Sequence, residues 1–217
     1  MVVEKVMRID HAEETFDRDE KQMKPENMTS GWKLWSLWML NAFLALIIGL
    51  ALLIFGIGAA ITNESPAIFG MVIGTIFGSG LGIAQWLVVR RKVSDLRLWV
   101  PITIAVWVIF WSMNFAGLFG EGQGVIGKLI EGLGHGALLG ALTGAGQWFV
   151  LRSKLQKASS WILISALSWA IGASTGDTIQ AILQIDIPLE LIIAILLSTA
   201  LTGIGMVWLL RQNQNGS

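Results

Sequence analysis

His135 and Glu131 are the residues whose types and spacing come nearest to a reactive pair. His135 is the only histidine beyond residue 11, and a spacing of four places both side chains on one face of a helix. Such a pair can titrate protons or ligate a metal or a tetrapyrrole, with Asp177 or Asn114 needed to complete a metal site. Plain hydration at a membrane surface is the alternative. We expect the pair on the side of its helix away from the neighbouring glycines.

The rest of the sequence offers no catalytic signature. Because the chain has no cysteine, disulfides, thiolate metal sites and a cysteine nucleophile are excluded. Phosphate-binding loops, zinc-protease helices and serine-nucleophile elbows are also absent. We therefore predict no catalytic residue, no metal, no cofactor and no enzymatic activity.

Gln85 and Gln147 are polar residues within apolar segments, 62 positions apart. Each ends a ladder of glycines in steps of four, which makes a stripe along a helix and lets helices approach closely in lipid. We expect the glutamines to face neighbouring helices and to bond each other or a shared carbonyl, with a solute pathway as the alternative. In a third copy the matching residue is Met206, which needs no partner. The ladders are Gly70, Gly74, Gly78 and Gly82, and Gly132, Gly136, Gly140 and Gly144.

Three arginines stand at the C-terminal ends of the second, fourth and sixth apolar segments. They are Arg90, Arg152 and Arg211. Cations are favoured at helix C-termini, and arginines there also anchor to lipid phosphates. We predict that the three form a ring of basic residues at one level. An anion or lipid-headgroup site is the alternative.

The composition predicts that lipid surrounds the elements that position these residues. The 217 residues are 54% hydrophobic and 14% charged, with a mean hydropathy of +0.66, whereas soluble domains carry about a quarter charged residues. Eight of the fifteen acidic residues lie within residues 1–33. The chain therefore combines a polar tail with an apolar body.

Six stretches are long enough to cross a hydrocarbon core, which takes about 20 residues. Basic residues gather in the loops on one side, notably RRKVSDLR and RSKLQKASS, so both termini are predicted to be cytoplasmic. The loops on the opposite side are acidic, either because basic residues are excluded from that side or because the acidic residues attract cations. The predicted spans are Leu34–Ile61, Ala67–Val89, Leu98–Phe119, Val125–Leu151, Trp161–Ile179 and Pro188–Leu210.

The spans repeat as hairpins of about 60 residues, each a tryptophan-rich span followed by a glycine-rich one. Trp99 and Trp107 match Trp161 and Trp169 at an offset of 62, and the third copy follows the second at 59. Parallel repeats imply a pseudo-symmetry axis along the membrane normal. We predict an all-α, integral membrane fold of six transmembrane helices in three parallel hairpin repeats around a pseudo-three-fold axis. The segments are a cytoplasmic tail (1–31), a membrane domain (32–211, repeats about 34–92, 97–154 and 159–211) and a C-terminal tail (212–217).

The tryptophans suggest that their helices lie outside the glycine-rich ones. Trp99 and Trp161 begin their spans, where an aromatic belt is expected. Trp107 and Trp169 lie about 12 Å deeper by helical rise, where a ring covering a glycine groove is expected, with pigment stacking as the alternative.

The phrase Gly-x-(Gly/Ala)-Gln-Trp-x-Val-(Leu/Val)-Arg, followed by a span that begins with tryptophan, occurs at Gly82–Arg90 with Trp99 and at Gly144–Arg152 with Trp161. It resembles a group of uncharacterised bacterial, notably cyanobacterial, multi-pass membrane proteins. The resemblance covers most of the body without the tail. It implies a membrane fold and no activity, cofactor or site residue.

These observations favour a non-enzymatic membrane protein, an accessory, assembly or interaction subunit of a larger complex. A small-solute or ion transporter or channel is the alternative, and pigment or quinone binding is a further one. The expected partners are the lipid bilayer and a complex reached through residues 1–31, without nucleic acid. The expected location is the plasma or thylakoid membrane of a bacterium.

Overall fold

The computed structural model describes residues 25–54, 65–185 and 187–214. These residues form six helices and no strand, so the predicted all-α class is confirmed. Five of the helices are long and apolar enough to cross a membrane, and α3, with 17 residues, is shorter. The helices are α1 Pro25–Leu52, α2 Pro66–Val89, α3 Trp99–Phe115, α4 Gly124–Leu151, α5 Ser160–Leu183 and α6 Leu189–Gln214.

Several helix ends differ from the predicted spans. Helix α1 begins at Pro25, within the predicted tail, and the predicted continuation over 55–61 lies outside the described residues. Helix α3 ends at Phe115 because Gly117 adopts a left-handed φ of 71°, a conformation that ends helices. Helix α5 continues four residues beyond Ile179, to Leu183.

Two units meet at Leu34 and Trp35, and the described residues from Trp35 onward hold the interhelical contacts and the cavity of the candidate sites. In this unit the glycine ladders let α2 pack on α3 and α4 pack on α5. A methyl group at Gly74 would lie within 3 Å of backbone atoms of Trp107, and one at Gly140 within 3 Å of backbone atoms of Ser165. Larger residues here would force the helices apart.

The contacts of α6 differ from those of the glycine-rich helices. Against α5, the glycines come from α5: Gly172 meets Ala194, and Gly176 meets the backbone of Glu190. Helix α1 is held to α6 by side chains rather than by close backbone contact, with Trp35 Nε1 donating to the carbonyl oxygen of Ala200 at 3.0 Å. The weaker approach of α6 to α1 agrees with its lack of a glycine ladder.

Trp99 and Trp161 lie inside the protein, which corrects the aromatic belt expected at the start of their spans, whereas the predicted outer position of their helices stays a prediction. Trp99 and Trp161 are fully buried, with ring centroids 6.4 Å apart, and Trp38 meets Trp161 at 6.3 Å. They are therefore not part of a lipid-facing belt. Deeper in, Trp107 and Trp169 meet edge to face at 5.2 Å, so these rings contact each other rather than only a glycine groove. Edge-to-face contact is a favoured arrangement for aromatic pairs.

The exterior carries large apolar side chains, as a protein surrounded by lipid requires. Leu40 and Ile48 of α1, Ile130 of α4 and Leu163 of α5 are all more than half exposed. Two ends can be distinguished. The basic end carries the α2–α3 and α4–α5 loops, and the acidic end carries the α3–α4 and α5–α6 loops.

Candidate functional site

Gln85 and Gln147 lie side by side in the buried interior of the basic half. Gln147 Nε2 donates to Gln85 Oε1 at 2.9 Å and to Thr103 Oγ1 at 3.1 Å. Trp161 Nε1 in turn donates to Gln147 Oε1 at 2.8 Å. These four residues, the glutamine cluster, join α2, α3, α4 and α5. Of the two partners predicted for the glutamines, each other or a shared carbonyl, the first is the one found.

The sequence did not identify Thr103 and Trp161 as members of the glutamine cluster. A signal was present, because Thr103 follows Trp99 by four residues just as Ser165 follows Trp161. Both hydroxyl-bearing residues are buried. A hydroxyl one turn beyond a tryptophan thus marks the face that meets the glycine-rich helices.

Met206, the third predicted member of this set, is fully buried in α6 but does not join the cluster through any described hydrogen bond. Trp38 is also buried, and its Nε1 finds no hydrogen-bond partner among the described residues. Gly203, one turn before Met206, approaches the Trp38 ring. The repeat that lacks glutamine at position 206 thus has an unpaired indole N–H, although Trp99 Nε1 also has no described partner in the repeat that keeps Gln85.

A cavity of about 590 Å³ lies at the acidic end, within the range of small-molecule sites. Its walls are largely apolar and come from all six helices, and its polar groups stand on α3, α4, α5 and α6. We call it the acidic-end cavity. The aromatic lining residues are Phe69, Phe110, Trp111, Phe115 and Trp169, and the polar ones are Asn114, Lys128, Glu131, His135, Asp177, Gln180 and Glu190.

Glu131 is held in place by two donors on one carboxylate oxygen. Its Oε2 accepts from Lys128 Nζ at 2.7 Å and from the Gly122 backbone N–H at 2.8 Å. His135 Nδ1 lies 3.8 Å from Glu131 Oε1, which is too long for a hydrogen bond. The pair is thus adjacent, as predicted, but the nearer partner of the carboxylate is Lys128.

The predicted orientation of the Glu131–His135 pair is wrong. Both residues face the acidic-end cavity together with Gly136 of the glycine ladder, rather than the opposite side of α4. His135 also contacts the Phe119 ring, with centroids 5.0 Å apart. His135 and Gly136 are adjacent in sequence, and adjacent positions on a helix differ by about 100° rather than 180°. The two can therefore border the same cavity.

Asp177 and Glu190 bring two further carboxylates to the cavity. Asp177 Oδ2 lies over Gly132, 2.7 Å from where a methyl group would be. Glu190 packs its backbone on Gly176, the residue before Asp177. Glu131, Glu190 and Lys128 are all near enough to act on Asp177 electrostatically. Even so, no group of three histidine or acidic residues among the described ones is arranged to hold a metal ion.

Arg90, Arg152 and Arg211 lie at the C-terminal ends of α2, α4 and α6. The Arg90 guanidinium stacks over the Trp86 ring at 4.3 Å, and that of Arg152 stacks over Phe149 at the same distance. Such contacts steady an exposed arginine on its own helix. The predicted ring of three remains a prediction.

The chain matches no protein-family profile, no curated protein and no solved structure. The resemblance based on the repeated Gln-Trp phrase therefore remains a prediction.

Proposed function

We propose that this chain is an integral membrane protein that holds a small amphipathic molecule in the acidic-end cavity. Five apolar helices and an exterior of leucine and isoleucine support the membrane placement. The basic loops Arg90–Arg97 and Arg152–Lys157 support a topology with the basic end, and with it both termini, in the cytoplasm. On this topology the cavity faces the non-cytoplasmic side.

We further propose that three hairpin repeats surround one pseudo-three-fold axis, as their buried positions suggest. Each tryptophan-rich helix buries three residues in steps of four, and the first of each set is a tryptophan. The sets are Trp38, Ala42 and Leu46; Trp99, Thr103 and Trp107; and Trp161, Ser165 and Trp169. Since the sets are spaced by 61 and 62 residues, one packing scheme recurs three times.

The lining of the acidic-end cavity also supports the pseudo-three-fold axis. Residues at matching positions of the three repeats line this one cavity. The matched sets are Phe69, Glu131 and Glu190; Ile73, His135 and Ala194; and Leu50, Trp111 and Ala173. A cavity on a pseudo-symmetry axis, in contact with all three repeats, is a common place for a binding site in repeat membrane proteins.

The observation that carries the proposed function is the combination of volume and lining. A space of about 590 Å³ with aromatic and aliphatic walls and a few convergent polar groups is the usual form of a small-molecule site. The apolar walls suit the body of a membrane-soluble molecule, and the polar groups suit its head. Of the three functions considered from the sequence, this proposal is most similar to pigment or quinone binding.

A channel is less well supported because side chains fill the proposed pseudo-three-fold axis between the acidic-end cavity and the basic end. Trp107 meets Trp169 at 5.2 Å, and Trp38, Trp99 and Trp161 are buried together nearer the basic end. Gln147 donates its amide to Gln85 Oε1 and both side chains are buried, which leaves them poorly placed to line a wet pathway. The accessory-subunit role, which the glycine grooves, the many tryptophans and the scarcity of intramembrane charge favour, remains a prediction, as does a partner bound through residues 1–31.

The test is native mass spectrometry of the full chain, purified from the membranes of its expression host. We expect a small molecule to co-purify with the wild type and with Ala105→Phe, a change on the exposed face of α3. Ala173→Phe, which adds a ring to the cavity wall, should remove it. Equal retention by Ala173→Phe, or no bound molecule in the wild type, would count against the proposed function.

A further inference from the structure

We propose that the acidic-end cavity selects organic cations, molecules with an apolar body and a positively charged amine or onium head. The inference rests on the proposed binding function and adds the charge of the ligand. It also explains why acidic side chains are present in a cavity whose walls are otherwise largely apolar.

The first argument is the charge balance of the described lining residues. Lys128 is the one lysine or arginine among them, and it is already joined to Glu131 at 2.7 Å. Asp177 and Glu190 form no ion pair with a described residue, so the described lining has three carboxylates for one ammonium group and a formal charge of two negative units, with histidine neutral. Carboxylates are rare within transmembrane segments and mark ligand or ion sites there. A positive ligand head supplies the missing counter-charge.

The second argument is that two residues of the lining each hold a buried acceptor atom that receives no hydrogen bond. Glu190 Oε2 and Gln180 Oε1 are buried and accept no hydrogen bond from the described residues. Gln180 Nε2 already donates to the Ile185 carbonyl at 2.6 Å, so the amide is fixed with its oxygen unpaired. A buried acceptor without a donor is costly. A protonated amine carries the donors that these oxygens lack.

The third argument comes from the aromatic walls. Phe110, Trp111 and Trp169 line the cavity, and the face of an aromatic ring attracts a cation within about 6 Å. Carboxylates and aromatic faces together form the usual site for an organic ammonium group. Trp111 Nε1 has no partner among the described residues, so a ligand that also carries an acceptor gains a second anchor.

The size of the cavity favours an organic cation over a metal ion. A metal needs several oxygen or nitrogen ligands at about 2–2.6 Å, whereas the cavity encloses about 590 Å³ and is mainly apolar. Most of that space would be left empty around a bare ion. An apolar body fills it and gains by burial.

The experiment compares tetraphenylphosphonium with tetraphenylborate, two rigid ions of similar shape and opposite charge. Equilibrium dialysis against the detergent-purified full chain, with empty micelles as blank, separates specific binding from partition. We expect saturable binding of one tetraphenylphosphonium per chain and no saturable binding of tetraphenylborate. Saturable binding of both ions with similar affinity, or of neither, would overturn charge selection.

Variants assign the binding to the cavity carboxylates. Asp177→Asn should weaken tetraphenylphosphonium binding about tenfold, because one nearby charge is lost in a poorly screened site. Asp95→Asn is the matched control, since Asp95 is exposed, lies in the α2–α3 loop and has a φ of 54° that asparagine tolerates. If Asp177→Asn fails to keep the wild-type unfolding midpoint, Glu190→Gln replaces it in the same assay.

The outcomes separate this inference from the proposed function. Unchanged affinity in the folded Asp177→Asn or Glu190→Gln variant would overturn the inference. If Ala173→Phe still removed the co-purifying molecule in that case, the binding function would stand without charge selection. Tetraphenylphosphonium binding that persists in Ala173→Phe would place the cation outside the cavity and overturn the inference directly.

Discussion

On the proposed repeat arrangement, the basic and acidic halves of this protein share one plan but have different interiors. In the basic half, the positions shared by the repeats carry tryptophan, glutamine and small hydroxyl residues, and the interior is filled. In the acidic half, the shared positions have diverged: Glu131 corresponds to Phe69, and Asp177 corresponds to Phe115. Phe69 and Phe115 pack edge to face at 4.9 Å in one part of the cavity wall, and the equivalent positions of the next repeat bring two carboxylates to the same cavity.

The difference suggests that the basic half has a structural role and the acidic half a role in binding. The filled half holds the helices at fixed distances through glycine contacts and the glutamine cluster. The cavity half has exchanged an apolar contact for charged groups that have few partners in the protein, an arrangement that costs stability and is expected at functional sites. Substitutions in the filled half should therefore reduce stability, while those in the cavity half should mainly change binding.

The largest effect is expected for Gly140→Leu. The added side chain meets the backbones of Ser165 and Ala166, which cannot move aside without separating α4 from α5. We expect a loss of about 3 kcal/mol in the free energy of unfolding, measured by denaturant titration in micelles. Gly134→Leu is the control, because a methyl group at Gly134 would meet nothing within 4 Å. Equal losses in the two variants would contradict the proposed close contact.

A smaller loss is expected for Gln147→Leu, which removes all three described hydrogen bonds of that side chain. The free energy of unfolding should fall by about 2 kcal/mol, since interhelical bonds in membranes contribute about 0.6–2 kcal/mol and buried partners are left unpaired. Gln85→Leu should cost less, because Gln85 takes part in one described bond. Gln123→Leu, at an exposed helix start, should leave the unfolding transition unchanged. A larger loss for Gln85→Leu than for Gln147→Leu would show that the described bonds do not set the order.

Much of the basic half could be predicted from the sequence. The offset of 62 places Gln85 and Gln147 at one depth, and the glycine ladders indicate which face of each helix meets a neighbour. The inward position of Trp99 and Trp161 could not be predicted in the same way. Lipid and protein interior are both apolar, so a span with tryptophan and isoleucine on several faces does not indicate which face is inside.

The acidic-end cavity could be predicted only in part. The sequence identified Glu131, His135 and Asp177 as candidates, but not their shared space or the pairing of Glu131 with Lys128. The cavity depends on where Phe69, Trp111 and Glu190 of other helices end up around the axis. Such long-range geometry follows from how the repeats assemble, which no local pattern specifies.

The smallest effect, and the closest test of the repeat, is expected for Met206→Gln. If α6 occupies the third position around the axis, the side-chain carbonyl of the introduced glutamine can accept from Trp38 Nε1, which lacks a described partner, just as Gln147 accepts from Trp161. We expect a gain of up to about 1 kcal/mol in the free energy of unfolding.

The same substitution in a Trp38→Phe background should instead be destabilising, because the new amide then finds no indole donor. A loss of stability in the wild-type background as large as in Trp38→Phe would mean that the third repeat does not place position 206 against Trp38. The two halves would then differ because the repeat is incomplete, rather than because a shared scaffold carries a diverged site.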